Sequence, residues 1–180
     1  MYKHTSEYYD LIYSFKNYKE ESDKIAALVT SLRPDVQTVL DVACGTAEHH
    51  RFFPDAWEIE GLDLDEGMLK VARAKFPDRA FHHGDMADFQ LSRQFDAVLC
   101  LFSSIGYLET NEQLEAAVRC FADHLAPNGI LLVEPWFRKE NYRPGKVHAL
   151  TAEGEGVKVM RMSYTGIAGR RSILEFHYMI

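Results

Sequence analysis

The sequence predicts an α/β fold built on a doubly wound parallel sheet, and three observations predict it. Short β-branched apolar runs recur along the first three quarters of the chain, as strands buried on both faces require. Segments of helical period lie between them, so the connections read as right-handed βαβ units. The chain has 180 residues, of which 47% are hydrophobic and 26% charged. That suits one globular domain and excludes a disordered chain, a collagen-like repeat and a membrane bundle.

The first strand is predicted over 38–43, where Thr38, Val39, Leu40, Asp41, Val42 and Ala43 end in small residues. Further strands are predicted over 57–62, 80–82, 97–102 and 130–133. Ile25, Leu28, Val29 and Leu32 follow a helical period that Pro34 closes. Met68, Leu69 and Ala72 mark a second helix with Asp65 as N-cap. Leu114, Ala117, Val118, Phe121 and Leu125 mark the longest, before Pro127, Asn128 and Gly129 turn the chain. After residue 133 prolines and glycines interrupt the pattern. Residues 157–164 alternate, 166–169 read as a turn, and 172–180 form a second extended run, so a small antiparallel hairpin is expected. The chain stops in an apolar stretch at Ile180, which reads as a shortened domain.

The net charge is −7, from 20 Lys and Arg against 27 Asp and Glu. An acidic surface opposes attraction to nucleic acid or an anionic membrane, so neither is an expected partner. Cys44, Cys100 and Cys120 are odd in number and lack CxxC spacing. They read as reduced thiols in a cytoplasmic protein without a structural zinc. No apolar run near the N-terminus resembles a signal peptide.

The most informative stretch is Asp41, Val42, Ala43, Cys44, Gly45, Thr46, Ala47 and Glu48, a strand running into small residues where a helix is expected to begin. Small residues at such a turn let backbone approach a ligand closely. Asp63 follows Gly45 by 18 residues, and an acidic group about 20 residues past the turn can accept both ribose hydroxyls. The turn is not GxGxxG, and Asp41 in the strand end is poor company for a pyrophosphate. These features suit a ligand with a ribose, an ammonium and no phosphate: S-adenosylmethionine rather than NAD. Asp85, after Phe81, His82, His83 and Gly84, is placed to accept from an adenine amine, with the next backbone N–H donating to the ring. His82 and His83 have no third ligand at suitable spacing, so no metal is expected. His49 and His50 are read as helix-surface residues.

With these motifs the chain resembles class I S-adenosylmethionine-dependent methyltransferases. More closely it resembles the bacterial N,N-dimethyltransferases of nucleotide-linked amino sugars, of the desosamine and mycaminose pathway type. The carriers are Asp41 to Thr46; Gly61, Leu62, Asp63 and Leu64; Gly84, Asp85 and Met86; and Phe102, Ser103, Ser104, Ile105 and Gly106. Val133 to Trp136, Glu7 to Asp10, Lys16 to Tyr18 and Glu175 to His177 support the subgroup. The resemblance implies a Rossmann-like sheet of order 3-2-1-4-5. It implies a cofactor-binding core with an N-terminal helical lid over 1–134, and a β-hairpin substrate cap over 135–180. Ala43 and Gly45 would line the methionyl part of the cofactor, with Asp41 facing its ammonium and Tyr9 and Tyr18 closing over it. Asp63 would hold the ribose, Leu64 would pack on the adenine, and Asp85 and Met86 would read the adenine. Leu101 would lie beside the sulfonium. Arg161 and Ser163 would bind the sugar nucleotide, His177 would orient or deprotonate the acceptor amine, and Tyr107 and Tyr2 would hold that amine by hydrogen bonds. S-adenosylhomocysteine would be the product.

Three departures from that family stand out. Ala47 replaces the last glycine of its DVACGTG run, adding a methyl at the methionyl end that the loop is expected to absorb. Tyr107 stands where its amino-sugar members have histidine. The family continues past Ile180 with a helix and its last two strands, so the fifth strand's edge is expected to be exposed, offering that edge or the cap to a homodimer. Two other readings stay open: methylation of another small amine or hydroxylated metabolite, and a non-catalytic, truncated binding domain.

Overall fold

The computed structural model describes residues 6–154 and 156–180. It falls into two compact units, one comprising Asn17–Trp136 with Ser6 and Glu7, the other Tyr8–Lys16 with Phe137–Ile180. The boundary expected after residue 134 falls after 136, and the short N-terminal helix groups with the smaller unit.

In the larger unit five parallel strands, β1 (Thr38–Val42), β2 (Glu58–Asp63), β3 (Phe81–His83), β4 (Phe95–Cys100) and β5 (Leu125–Val133), lie in the order β3-β2-β1-β4-β5. Side chains alternate between two cores, as the period of two requires. Val39, Ile59, Ala97 and Leu99 pack on one side with Val29 of α2 (Tyr18–Leu32). Leu40, Val42, Leu62, Val98 and Cys100 pack on the other with Ala117 and Phe121 of α4 (Asn111–Asp123). This explains the continuous apolar runs, since β1, β2 and β4 are covered on both faces. Full burial of side chains of this size contributes roughly 1.5–3 kcal/mol each. Of the periodic helix residues, Leu28, Leu32, Leu114 and Val118 remain exposed, so α2 and α4 bury a narrower stripe than their apolar pattern suggests.

The helix starts follow local chemistry. Asn17 accepts from the Glu20 N–H at the start of α2. Asp65 Oδ1 accepts from Gly67 and Met68 at the start of α3 (Glu66–Lys75), as expected. Thr110 and Gln113 form a reciprocal capping box for α4. No helix among the described residues is long and apolar enough to cross a membrane. β3 and β5 are the sheet's edges.

The smaller unit contains α1 (Tyr9–Ile12) and an antiparallel sheet of three strands, β6 (Val147–Gly154), β7 (Val157–Ala168) and β8 (Arg171–Met179), in sequential order. β6 was not predicted. Its apolar residues Val147, Ala149, Leu150 and Ala152 are broken up by His148 and Thr151 and keep no strict alternation, and glycines flank it, so no clear run announces it. The turn between β7 and β8 is the pair Gly169 and Arg170, with Ala168 opposite Arg171 and Gly169 at φ +61°. Gly166, expected in that turn, lies inside β7 opposite Ile173, where the Tyr164 ring takes the space of a side chain.

Candidate functional site

The loop after β1 is built from small residues in a demanding backbone. Ala43, Gly45 and Ala47 all have left-handed φ values, of +60°, +57° and +59°. An added Cβ at Gly45 would meet no atom within 4 Å, so open space adjoins the backbone there. The loop does not lead into an α-helix as expected. It passes into a single 3₁₀ turn, Glu48–Arg51. The loop therefore does not open a long helix, and a pyrophosphate there would lack the stabilisation such a helix start provides.

Asp63 ends β2 and ties the loop to it. Its Oδ2 accepts from the Gly45 N–H at 2.7 Å and its Oδ1 from the Asp65 N–H at 2.8 Å. Each oxygen keeps acceptor capacity for a hydroxyl. Burial raises the Asp63 pKa, against those two N–H groups, and the neighbouring Asp65 and Asp41 carboxylates add to the rise. Beyond Asp63, Leu64 presents an exposed apolar side chain. Asp85 follows β3, exposed, with Oδ1 accepting from the Ala87 N–H, and Met86 beside it is half-buried. His82 is bonded to Glu60 and His83 to the Leu64 carbonyl.

Asp41 is placed differently from expectation. It is 2% exposed, and its Oδ2 lies 3.0 Å from Nε2 of His50. Its Oδ1 has no hydrogen-bond partner among the described residues. Asp41 therefore underlies the loop instead of lining it. His49 and His50 are buried, contrary to the helix-surface reading, because the short 3₁₀ turn rolls both rings inward. Residues 41 and 50 bracket the loop, so the pair acts as a clasp across it. The helical reading concealed this partner, although a histidine nine residues after a strand-end aspartate is visible in the sequence. Burial, then Asp41 and Asp63, push the Cys44 thiol well up, which leaves it a neutral, inert member of the loop.

Tyr18 is buried, with its ring edge against His49 at 4.9 Å. It supports the 3₁₀ turn from behind. Leu101, after β4, is 4% exposed, and Tyr107 ends the 3₁₀ turn Ser104–Tyr107 with half its surface open. In the smaller unit Tyr9 packs on Tyr13. The Arg161 guanidinium lies between the Tyr13 and Phe176 rings, 4.9 and 5.0 Å from their centroids. Its Nη1 is buried without a hydrogen-bond partner among the described residues. Ser163, two residues on, shares that face. His177 does not. Arg161 pairs with Tyr178 while His177 pairs with Met162, so Arg161 and His177 stand on opposite faces of the sheet and do not line one pocket. Tyr2 lies outside the described residues.

Residues 39–129 match the family of methyltransferase domains. The dTDP-3-amino-3,6-dideoxy-alpha-D-glucopyranose N,N-dimethyltransferase of Streptomyces fradiae is 44% identical over 178 residues, 97% of this chain and 70% of that protein. This chain belongs to the S-adenosylmethionine-dependent methyltransferases. Two solved members are similar throughout. Streptomyces venezuelae DesVI shares 43% identity at a TM-score of 0.90, covering 96% of this chain and 75% of that one. The S-adenosylmethionine-bound CalS10, an amino pentose methyltransferase from Micromonospora echinaspora, shares 34% at 0.79, covering 91% and 76%.

The loop fits the cofactor of this methyltransferase family. Open space at Gly45 leaves room for an extended methionyl chain, and Asp63 offers acceptors beside it. Ala47 does not crowd that space. Its methyl is 1% exposed and packs with Leu69, Ala72 and Phe81. Ala47→Gly would relieve left-handed strain but remove a buried methyl. The two effects offset, so stability is expected to stay within about 1 kcal/mol. S-adenosylhomocysteine affinity is expected to stay within about twofold; urea denaturation and calorimetry check both.

Proposed function

We propose that this methyltransferase methylates the amine of a nucleotide-linked amino sugar. The observation that carries the reading is its 44% identity, across nearly its whole length, to an enzyme named for that reaction. The Arg161 Nη1, which has no hydrogen-bond partner among the described residues, supports it, since a diphosphate offers an acceptor of opposite charge.

When bound, S-adenosylmethionine supplies an electrophilic methyl on a sulfonium that is already a good leaving group. The protein's task is therefore placement of the amine in line with the S–CH₃ bond. In our reading Gly45 and Ala43 border the methionyl chain, Asp63 accepts from the ribose, Leu64 covers the adenine, and Asp85 with Met86 reads its edge. Asp41 holds the loop through His50. Leu101 and Tyr107 lie at the exit of β4, the strand next to β1, where the strand order reverses and ligands of such sheets bind. Tyr107 holds the amine by a hydrogen bond. A phenol with an ordinary pKa near ~10 is no base at neutral pH, so the amine attacks after losing its proton to water. Arg161 and Ser163 hold the nucleotide diphosphate. The two flanking rings hold the guanidinium in place, and its planar fork suits phosphate oxygens.

Two measurements test this. Calorimetry with S-adenosylhomocysteine is expected to show binding, and turnover on a dTDP-amino sugar is expected to exceed that on the free amino sugar. Equal turnover on simple amines would favour the broader small-molecule reading. Arg161→Ala is expected to raise KM for the nucleotide sugar about tenfold, the loss of roughly one hydrogen bond to a charged group. Cofactor affinity is expected to stay within about twofold. An unchanged KM would remove Arg161 from the site.

A further inference from the structure

The exit of β4 is strained in a way the reaction scheme above does not use. Phe102 and Ser103 follow Leu101 with φ values of +51° and +58°, two consecutive non-glycine residues in the left-handed region. Each is strained there and persists only because its surroundings impose it. The surroundings here belong to one segment, residues 134–136 after β5. Glu134 donates its N–H to the Cys100 carbonyl, which fixes it beside the strand end. Its Oε2 accepts the Phe102 N–H at 2.7 Å. Ser103 Oγ donates to the Pro135 carbonyl at 3.0 Å. Further along, Gly106 lies so close to Trp136 that an added Cβ would sit 3.1 Å from its side chain. The segment thus grips both ends of the run 102–107. Inside that run the Ser104 N–H donates to the Leu101 carbonyl and the Gly106 N–H to the Ser103 carbonyl, so the left-handed pair sets the direction of the turn that ends at Tyr107.

We propose that Glu134 is a positioning residue for methyl transfer: by bonding the Phe102 N–H it holds the left-handed turn after β4, and through that turn it aims Tyr107 at the acceptor amine. The inference rests on the amino-sugar reading for the identity of the acceptor. Glu134 touches no reacting atom in this scheme. Its oxygen acts as a hydrogen-bond acceptor, and its charge takes no part in the chemistry.

Three variants test it. In Glu134→Ala the Phe102 N–H loses its acceptor, and the turn relaxes toward the extended region. Amide hydrogen exchange at Phe102 is expected to lose protection. The turnover number is expected to fall about 10- to 30-fold, as misplacement of a positioning group does. KM for the nucleotide sugar and S-adenosylhomocysteine affinity are expected to stay within about threefold. Glu134→Gln retains a carbonyl oxygen and is expected to recover most of the turnover, with a pH profile like that of the wild type. Adding Ser103→Gly to Glu134→Ala supplies a residue that adopts positive φ without strain, and is expected to recover turnover several-fold.

Unchanged turnover in Glu134→Ala would overturn the proposal. So would Glu134→Gln as impaired as alanine with no rescue by Ser103→Gly, since the charge would then be what matters. A wild type that binds S-adenosylhomocysteine but ignores nucleotide sugars would count against the acceptor reading instead. Glu134 would still be judged by exchange: equal Phe102 protection in wild type and Glu134→Ala overturns the hold.

Discussion

Replacing His50 with leucine is expected to destabilise the protein by about 1–3 kcal/mol, the cost of leaving a buried polar group without its hydrogen-bond partner. The pair is dry, with His50 at 1% and Asp41 at 2% exposure. Oδ1 of Asp41 already lacks a partner among the described residues, so losing His50 leaves neither oxygen satisfied. The His50 ring also stacks on Phe81 at 5.8 Å, and leucine replaces that contact only in part. Because residues 41 and 50 bracket the loop, S-adenosylhomocysteine affinity is expected to fall with stability. Urea denaturation of the ligand-free protein measures the first effect and calorimetry the second. Combining the change with Asp41→Leu is expected to cost less than the sum of the single changes, since both polar groups then leave together. Strict additivity would show that the two side chains do not interact as a pair.

The clasp was hidden in the sequence for a physical reason. A helix after Gly45 would place His49 and His50 on an outer face, while four residues of 3₁₀ structure turn them under the loop. What could be read directly were features set by local chemistry. Buried strands announce themselves by β-branched runs such as Thr38 to Val42, Asp65 caps the helix that follows it, and Gly45 and Asp63 stand at a spacing that a parallel crossover brings together. The antiparallel sheet was harder. Side chains of neighbouring residues face opposite ways, so which ones share a face depends on exact pairing. With Ala168 opposite Arg171, counting back puts Tyr178 beside Arg161 and sends His177 to the other side. β6 was hard to see because Val147, Ala149, Leu150 and Ala152 follow no strict alternation and the strand is mostly exposed. The role of Glu134 escaped because it depends on backbone angles at Phe102 and Ser103, which no residue pattern announces.

Asp63→Ala is expected to weaken S-adenosylhomocysteine about 10- to 150-fold, corresponding to roughly 1.5–3 kcal/mol for hydrogen bonds to a charged acceptor. Two losses contribute. The ribose loses its acceptor, and the Gly45 and Asp65 N–H groups lose the carboxylate that orders the loop. Asp63→Asn separates them, because the amide keeps one oxygen for a backbone N–H but carries no charge. It is expected to fall between alanine and wild type. The pH dependence has a definite sign. Burial raises the pKa of Asp63, so its contribution to folding is fully present below the ordinary aspartate pKa of about 4 and is lost as pH rises through the raised value. Ligand binding runs the other way. Ribose hydroxyls donate to the ionised carboxylate, so affinity is expected to strengthen as pH rises through the raised pKa and to level off above it. The alanine variant lacks that titration, and its affinity is expected to be flatter over the same range. Parallel titrations of both proteins from about pH 4 upward decide the matter: identical slopes, or an alanine variant that binds like the wild type, would remove Asp63 from the ribose.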